Sequence, residues 1–151
     1  MLRVKLHVLP ITNRSRRRLA ARYSQLLKPL ADSGRLTLPH VPRGCESAWH
    51  LYVVQVAQRR DEVVAYLNGR GIGAAIHYPV PLHELKAFPG YASQAEGLQN
   101  ASRLSRKILS LPLFPEMSDA QQDRVVDELR TAIVGRSEMS RPQHVGEHSR
   151  L

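Results

Sequence analysis

Between residues 13 and 31 the apolar side chains Leu19, Tyr23, Leu26, Leu27 and Leu30 recur at helical spacing, while Arg17, Arg18, Arg22 and Lys28 fall largely off that stripe. The spacing predicts a helix ended by Gly34. The next stretch, LTLPHVPRG, carries two prolines and a glycine and suits an extended linker or an edge strand interrupted by proline. The run HLYVVQVA, His50 to Ala57, is almost continuously apolar and rich in β-branched and aromatic residues, which predicts a strand covered on both faces. A helix follows from near Asp61 with Val63, Val64 and Leu67 inward, and Asn68 to Gly71 stop it. IGAAIHY, Ile72 to Tyr78, reads as a second strand, so this stretch forms a strand, helix, strand unit.

The segment PVPLHELKAFPG cannot be regular throughout, because Pro79, Pro81 and Pro89 each remove a backbone donor; Glu84 to Phe88 has room for one helical turn. Helical spacing returns from Ala95 to Leu109, with Leu98, Ala101, Ile108 and either Leu104 or Ser105 inward. Leu109 to Pro115 predicts a short strand ending in a turn. Ser118 and Gln121 have capping-box spacing at the start of a last helix that buries Val125, Val126, Leu129 and Ile133. After Gly135 the chain is polar with almost no apolar residue, the pattern of a disordered tail. The expectation is a small α/β domain of two or three layers, with a short sheet of about three strands and about four helices. Residues 1–12 stand as an N-terminal segment, 13–134 as the domain and 135–151 as the tail. There is no internal repeat, and the alternation is too short for a barrel or a doubly wound sheet.

The 151 residues, 42% hydrophobic, suffice for one core, which sets aside wholesale disorder and disulfide-dependent mini-proteins. The single cysteine, Cys45, has no internal partner and no CxxC spacing, which points to a cytoplasmic setting and away from structural zinc. No apolar run approaches a membrane span, and MLRVKLHVLP has too little apolar length for a secretory signal. The net charge of +9 is local: residues 1–35 carry nine basic side chains against Asp32, while residues 36–130 hold ten of each sign. The RSRRR cluster, Arg14 to Arg18, reads either as phosphate contacts on nucleic acid or as a solvated helix face whose acidic partners lie elsewhere, residues absent from this chain included. With no second basic stripe and no aromatics interleaved with arginines, the solvated face is the stronger reading.

No GxGxxG, GxxxxGK, HExxH or GxSxG motif occurs, so dinucleotide, triphosphate, zinc-protease and hydrolase-elbow chemistry lose their usual entry points. The conspicuous polar cluster is HYPVPLH, where His77 and His83 stand six residues apart across two prolines. A proline-bounded loop leaving a strand end can present side chains to a ligand at low entropic cost. His77, His83 and Tyr78 can each hydrogen-bond a hydroxyl or phosphate oxygen. The plainer alternative is a His77 satisfied by a neighbouring carbonyl and a Tyr78 packed at the strand end. A metal is disfavoured, since Glu84 is the nearest further ligand. His50, beside Trp49, suits a core or capping role better than chemistry. Asp61 and Glu62, like Asp119 and Asp123, sit where helix dipoles favour negative charge. Cys45 has no histidine nearby in sequence to make it a nucleophile.

The string WHLYVVQVAQRRDEVVAYLNGRGIGAAIHYPVPLHELKAF resembles the C-terminal part of the DegT/DnrJ/EryC1/StrS family of pyridoxal-phosphate-dependent sugar aminotransferases. RRRLAARYSQLL upstream and SRKILSLPLFPEMSDAQQDRVVDELR downstream agree with it in order, so the likeness spans about residues 14 to 134. The resemblance implies the small C-terminal domain of an aspartate-aminotransferase-like fold, in enzymes that move an amino group, usually from glutamate, to a keto sugar on a nucleotide and work as dimers. It also implies that His77, Tyr78, Pro79, Pro81, Leu82 and His83 lie on the substrate side of the cleft. Lys5, Lys28, Lys86 and Lys107 are the only lysines, none in a counterpart of the family's Schiff-base motif, and the family's Asn-x-Arg segment is missing, Asn13 lying too close to its helix. MLRVKLHV reads as a short, divergent start in place of the large domain. The expectation is therefore a chain that binds no cofactor and transfers no amino group alone. Its partner is then a second copy or a separate large-domain polypeptide. Two alternatives stand beside this: an interaction module that kept the small-domain fold, and a nucleic-acid-binding domain using the 14–22 cluster.

Overall fold

The computed structural model describes residues 2–87 and 97–138. Phe88, Pro89, the start of the helix expected from Ala95, and the tail from residue 139 lie outside the described residues. The architecture is α/β, with a three-stranded antiparallel sheet of order β1-β2-β3 and four α-helices. The elements are α1 Leu2–Asp32, β1 Leu36–Thr37, β2 Tyr52–Val56, α2 Arg60–Gly69, a 3-10 turn Leu82–Glu84, α3 Gln99–Ser105, β3 Ile108–Leu111 and α4 Asp119–Glu138.

The expected stripe on α1 holds: Leu19, Tyr23, Leu27 and Leu30 are buried, and Leu26 packs against their edge. The helix is longer than its periodicity announces, running back through Pro10 to Leu2. A proline inside a helix deletes one hydrogen bond and strands a carbonyl, which is tolerable here because the first three turns lie in solvent. Val4, Leu6, Val8, Leu9 and Ile11 are 47–73% exposed there. Gly34, at φ 71, supplies the left-handed residue that turns the chain into β1.

Strand β2 is shorter than expected and alternates, with Tyr52, Val54 and Val56 buried and Val53 and Gln55 half-buried. It is therefore covered fully on one face only, the face on which the helices pack. Tyr23, Tyr52 and Trp49 form an aromatic row with ring centroids 5.0 and 5.5 Å apart.

The strand expected over Ile72–Tyr78 is corrected to a single bridge, Ala75 opposite Ser110. The outer edge of β3 is already occupied one step earlier, where the buried Arg60 guanidinium donates to the Ile108 carbonyl at 2.7 Å. The Ala74 N–H, which beside the Ala75 bridge points away from β3, is taken by the Asn68 side chain at 3.0 Å. The helix expected over 95–109 is also shorter: α3 ends at Ser105, its buried residue, and Ile108 begins β3, while Leu98 is 41% exposed. One turn is present near the expected Glu84, shifted to Leu82–Glu84.

The capping box at α4 is made in both directions, Gln121 N–H to Ser118 Oγ at 3.2 Å and Ser118 N–H to Gln121 Oε1 at 2.9 Å. Val125, Val126, Leu129 and Ala132 form its buried face, and Ile133 packs beside them. Gln122, fully buried, donates to the Leu19 carbonyl at 2.7 Å and locks α4 against α1. Among the described residues, no helix is long and apolar enough to cross a membrane.

Candidate functional site

The chain leaves α2 through Gly71, buries Ile72 and Ala74, bridges β3 at Ala75 and then turns outward at His77. From His77 to His83 the loop is held from behind by two serines. His77 Nδ1 lies 2.9 Å from the Ser110 hydroxyl on β3. Six residues on, His83 Nε2 lies 3.0 Å from the Ser102 hydroxyl on α3, and Ser102 also donates to the Glu84 carboxylate. Between these anchors the apolar side chains point outward: Tyr78, Val80 and Leu82 are 73%, 42% and 75% exposed. Tyr78 meets His77 edge-on, with ring centroids 5.7 Å apart.

Two grooves flank the loop. One, of about 580 Å³, is walled by Tyr78, Val80, Leu82, Leu85 and Leu104 and is almost wholly apolar. The other, of about 760 Å³, is lined by His83, Glu84, Ser102, Arg103, Arg106 and Lys107. An apolar shelf beside a cationic one suits a ligand with a ring at one end and an anionic group at the other.

The structure thus brings His77, Tyr78, Pro81, Leu82 and His83 together on one loop. His77 is satisfied by a hydroxyl, not a carbonyl, and Tyr78 does not pack into the strand end. Ser102 and Ser110, the hydroxyls behind the two histidines, are not revealed by spacing; the trace in the sequence is a serine at one of three buried positions of an otherwise apolar strand. His50 is exposed rather than in the core, and its backbone carbonyl accepts from Arg16 at 3.2 Å. Cys45 is exposed. Asp61 and Glu62 pair with Arg60 and Arg59 in the first turn of α2. The Glu62 hydrogen bond raises the Arg59 guanidinium above its ordinary value.

Arg17, Arg18 and Arg22 find acidic partners elsewhere in this chain. Arg17 meets Glu46, Arg18 meets Asp119 and Arg22 meets Asp123, each at 2.8 Å. The Arg18 hydrogen bond holds Asp119 below the usual carboxylate range, with the Arg18 and Arg22 charges assisting. Arg16 donates to the carbonyls of Trp49, His50 and Leu113, all at 3.2 Å. These arginines fasten α1 to its neighbours, so nothing in their placement favours a nucleic-acid surface.

The cofactor implied by the resemblance requires a lysine in a cup of phosphate donors, with a carboxylate for its ring nitrogen. Lys28 is paired with Asp32 at 2.7 Å, and Lys5 and Lys86 are exposed. Lys107 lines the cationic groove, where the one carboxylate, Glu84, is engaged by Ser102 and lies 3.6 Å from His83. The described residues do not fit pyridoxal phosphate by themselves.

Comparison with known proteins gives the family of this sequence and fold. The sequence pattern of the DegT/DnrJ/EryC1/StrS aminotransferase family matches residues 1–130, so the likeness takes in the first twelve residues as well. A dTDP-3-amino-3,4,6-trideoxy-alpha-D-glucose transaminase of Streptomyces venezuelae is 38% identical over 130 residues, covering 86% of this chain and 33% of that protein. A UDP-N-acetyl-3-dehydro-alpha-D-glucosamine 3-aminotransferase of Acidithiobacillus ferrooxidans is 35% identical over 136 residues, 89% of this chain and 35% of that one. Among solved structures, S. venezuelae DesV superposes with a TM-score of 0.75 at 35% identity, over 94% of this chain and 36% of that chain. A Brucella abortus aminotransferase of the family gives 0.73 at 33% identity, over 86% and 33% respectively. The chain spans about a third of the length of these relatives. With sequence and fold in agreement, this chain belongs to the DegT/DnrJ/EryC1/StrS aminotransferase family.

Proposed function

We propose that this chain supplies the substrate-side lobe of a pyridoxal-phosphate-dependent nucleotide-sugar aminotransferase that takes its amino group from glutamate. The lobe takes in α1 through α4, so that its bounds lie outside the expected 13–134, and the polar sequence after Glu138 is the tail. The observation that carries the reading is the HYPVPLH loop, whose two histidines are pinned at 2.9 and 3.0 Å while Tyr78 and Leu82 stand 73% and 75% exposed. In this reading the His77 imidazole and Tyr78 phenol hydrogen-bond oxygens of the nucleotide sugar. Pro81 and Leu82 form the apolar wall along which its ring lies, and His83 holds the far end of the loop in place. The large lobe, on another polypeptide or another part of a longer one, holds the amino-group carrier, because no lysine among the described residues is placed to do so.

The test mixes purified chain with pyridoxal phosphate and scans for the absorbance band of a specific lysine adduct. Glutamate and a dTDP-keto sugar are then added and amino transfer is assayed. Neither a stoichiometric band nor transfer is expected, and an active adduct on this chain alone would refute the proposal. A titration with the nucleotide sugar should perturb the amides of His77, Tyr78, Val80 and Leu82; a silent loop would remove the substrate-side assignment.

The exposed apolar turns of α1 bear on partners. Val4, Val8 and Ile11 share one face at i, i+4 and i+7, each at least 50% exposed. The isolated chain is expected to self-associate, with a sedimentation coefficient that rises with concentration, and Ile11→Lys is expected to weaken this without altering the circular dichroism spectrum. A strict monomer at high concentration would count against a second copy as partner.

A further inference from the structure

Ser110 sits in the middle of β3, 3% exposed, and its backbone is spent on the Ala75 bridge, with N–H to Ala75 O at 2.7 Å and C=O from Ala75 N–H at 3.2 Å. Its hydroxyl has one partner among the described residues, His77 Nδ1 at 2.9 Å. A buried O–H left without an acceptor is costly, whereas a hydroxyl oxygen tolerates an unused lone pair. If Nδ1 carried the proton and donated to Ser110, the serine hydrogen would have no acceptor. If Ser110 donates to an unprotonated Nδ1, every donor is satisfied. A neutral imidazole carries one N–H, so that proton must then be on Nε2.

We infer that Ser110 is a positioning residue that fixes His77 as its Nε2–H tautomer, making it a hydrogen-bond donor, not a base, toward the open side of the loop. This rests on the proposed substrate-side role of His77 and specifies it: the ligand atom His77 meets is an acceptor oxygen, as in a sugar carbonyl, a hydroxyl lone pair or a phosphate. The physical parallel is the carbonyl or carboxylate that sets the tautomer of a ligating histidine from behind. His83 differs, since Ser102 has an acceptor of its own in Glu84 and so is free to accept from Nε2.

The tautomer is readable on this chain with no substrate present, by long-range proton–nitrogen correlation spectroscopy on histidine-labelled protein held above the ordinary histidine pKa. The His77 cross-peaks are identified by their loss in His77→Gln. Expected is a single pattern with Nε2 protonated and Nδ1 bare. In Ser110→Ala this pattern should relax toward the averaged shifts of a free imidazole in tautomeric exchange, and in Ser110→Thr, which restores the hydroxyl, it should return. A wild-type His77 carrying its proton on Nδ1, or shifts unchanged in Ser110→Ala, would overturn the inference. A wild-type spectrum with the proton on Nδ1 would overturn the inference even if a variant misfolds, and Ser110→Thr supplies the second variant if Ser110→Ala fails to fold. A nucleotide sugar that fails to perturb His77 in a chain showing the expected tautomer would instead overturn the substrate-side reading, so the two failures are distinct.

Discussion

Arg60→Met is expected to lower the unfolding free energy of this domain by about 3 kcal/mol, because two backbone carbonyls lose a charged donor at once. The Arg60 side chain is 7% exposed; its Nη1 donates to Ser105 O at 2.8 Å and Ile108 O at 2.7 Å, and its Nε to Asp61 at 2.8 Å. It therefore joins the first turn of α2 to the turn between α3 and β3. Methionine keeps most of the apolar stem but donates nothing, and each orphaned buried acceptor costs ~1–3 kcal/mol. Against a stability of about 5–15 kcal/mol for a domain of this size, that is a large fraction. Urea unfolding should show a lower midpoint at unchanged slope, and Arg60→Lys should recover part of the loss. The effect reaches the loop as well, since Ser110 lies two residues beyond Ile108 and its hold on His77 depends on where β3 starts. An unchanged midpoint in Arg60→Met would mean that the two carbonyls find other donors and that Arg60 is not the fastener of this edge.

The same residue shows where sequence reading stops. Elements written in local periodicity are legible: the Leu19–Leu30 stripe of α1, the Val63 and Leu67 face of α2, and the Ser118/Gln121 box that starts α4. The two-residue edge strand Leu36–Thr37 falls at the start of the stretch read as an extended linker or an edge strand interrupted by proline, but its pairing with Gln55 and Val56 is not written in the sequence. Ile72–Tyr78 has strand composition, but an arginine from another element takes the Ile108 carbonyl that it would pair with. The cluster from Arg14 to Arg18 reads as a solvated face, yet Arg16, like Arg60 and Arg130, donates to backbone carbonyls 33 to 104 residues away, a relation that spacing cannot encode. The HYPVPLH loop is visible because histidine and proline are rare enough to stand out together. The serines behind it are not, since one buried hydroxyl in a strand does not change a hydropathy pattern.

Above about pH 10, where an unstrained phenol ionises, the stability of this domain is expected to fall steeply, and Tyr23 and Tyr52 are the cause. Both are fully buried, with Tyr23 Oη donating to Pro112 O at 2.9 Å and Tyr52 Oη 2.8 Å from Ser24 Oγ. Burial pushes the Tyr23 phenol far above its ordinary value; the neighbouring Tyr52 adds to the rise and Arg22 opposes it. Burial also raises Tyr52, partly offset by its bond to Ser24. A group whose folded pKa is raised contributes fully below the unfolded value and loses that contribution as pH climbs toward the folded one. Between those limits the unfolded chain sheds a proton that the folded chain keeps, so each such tyrosine costs ~1.4 kcal/mol per pH unit. Lysine deprotonation overlaps this range, so the decisive comparison is with Tyr23→Phe. That variant should be less stable at neutral pH by about 1 kcal/mol, having left the Pro112 carbonyl without its donor, yet should lose stability more gradually as pH rises. The two stability curves should converge and then cross on the alkaline side, with the share of phenolate absorbance that Tyr23→Phe removes appearing in the wild type only as the chain unfolds. Parallel curves would show that Tyr23 ionises as readily in the fold as outside it, and that the aromatic row between α1 and β2 is open to water.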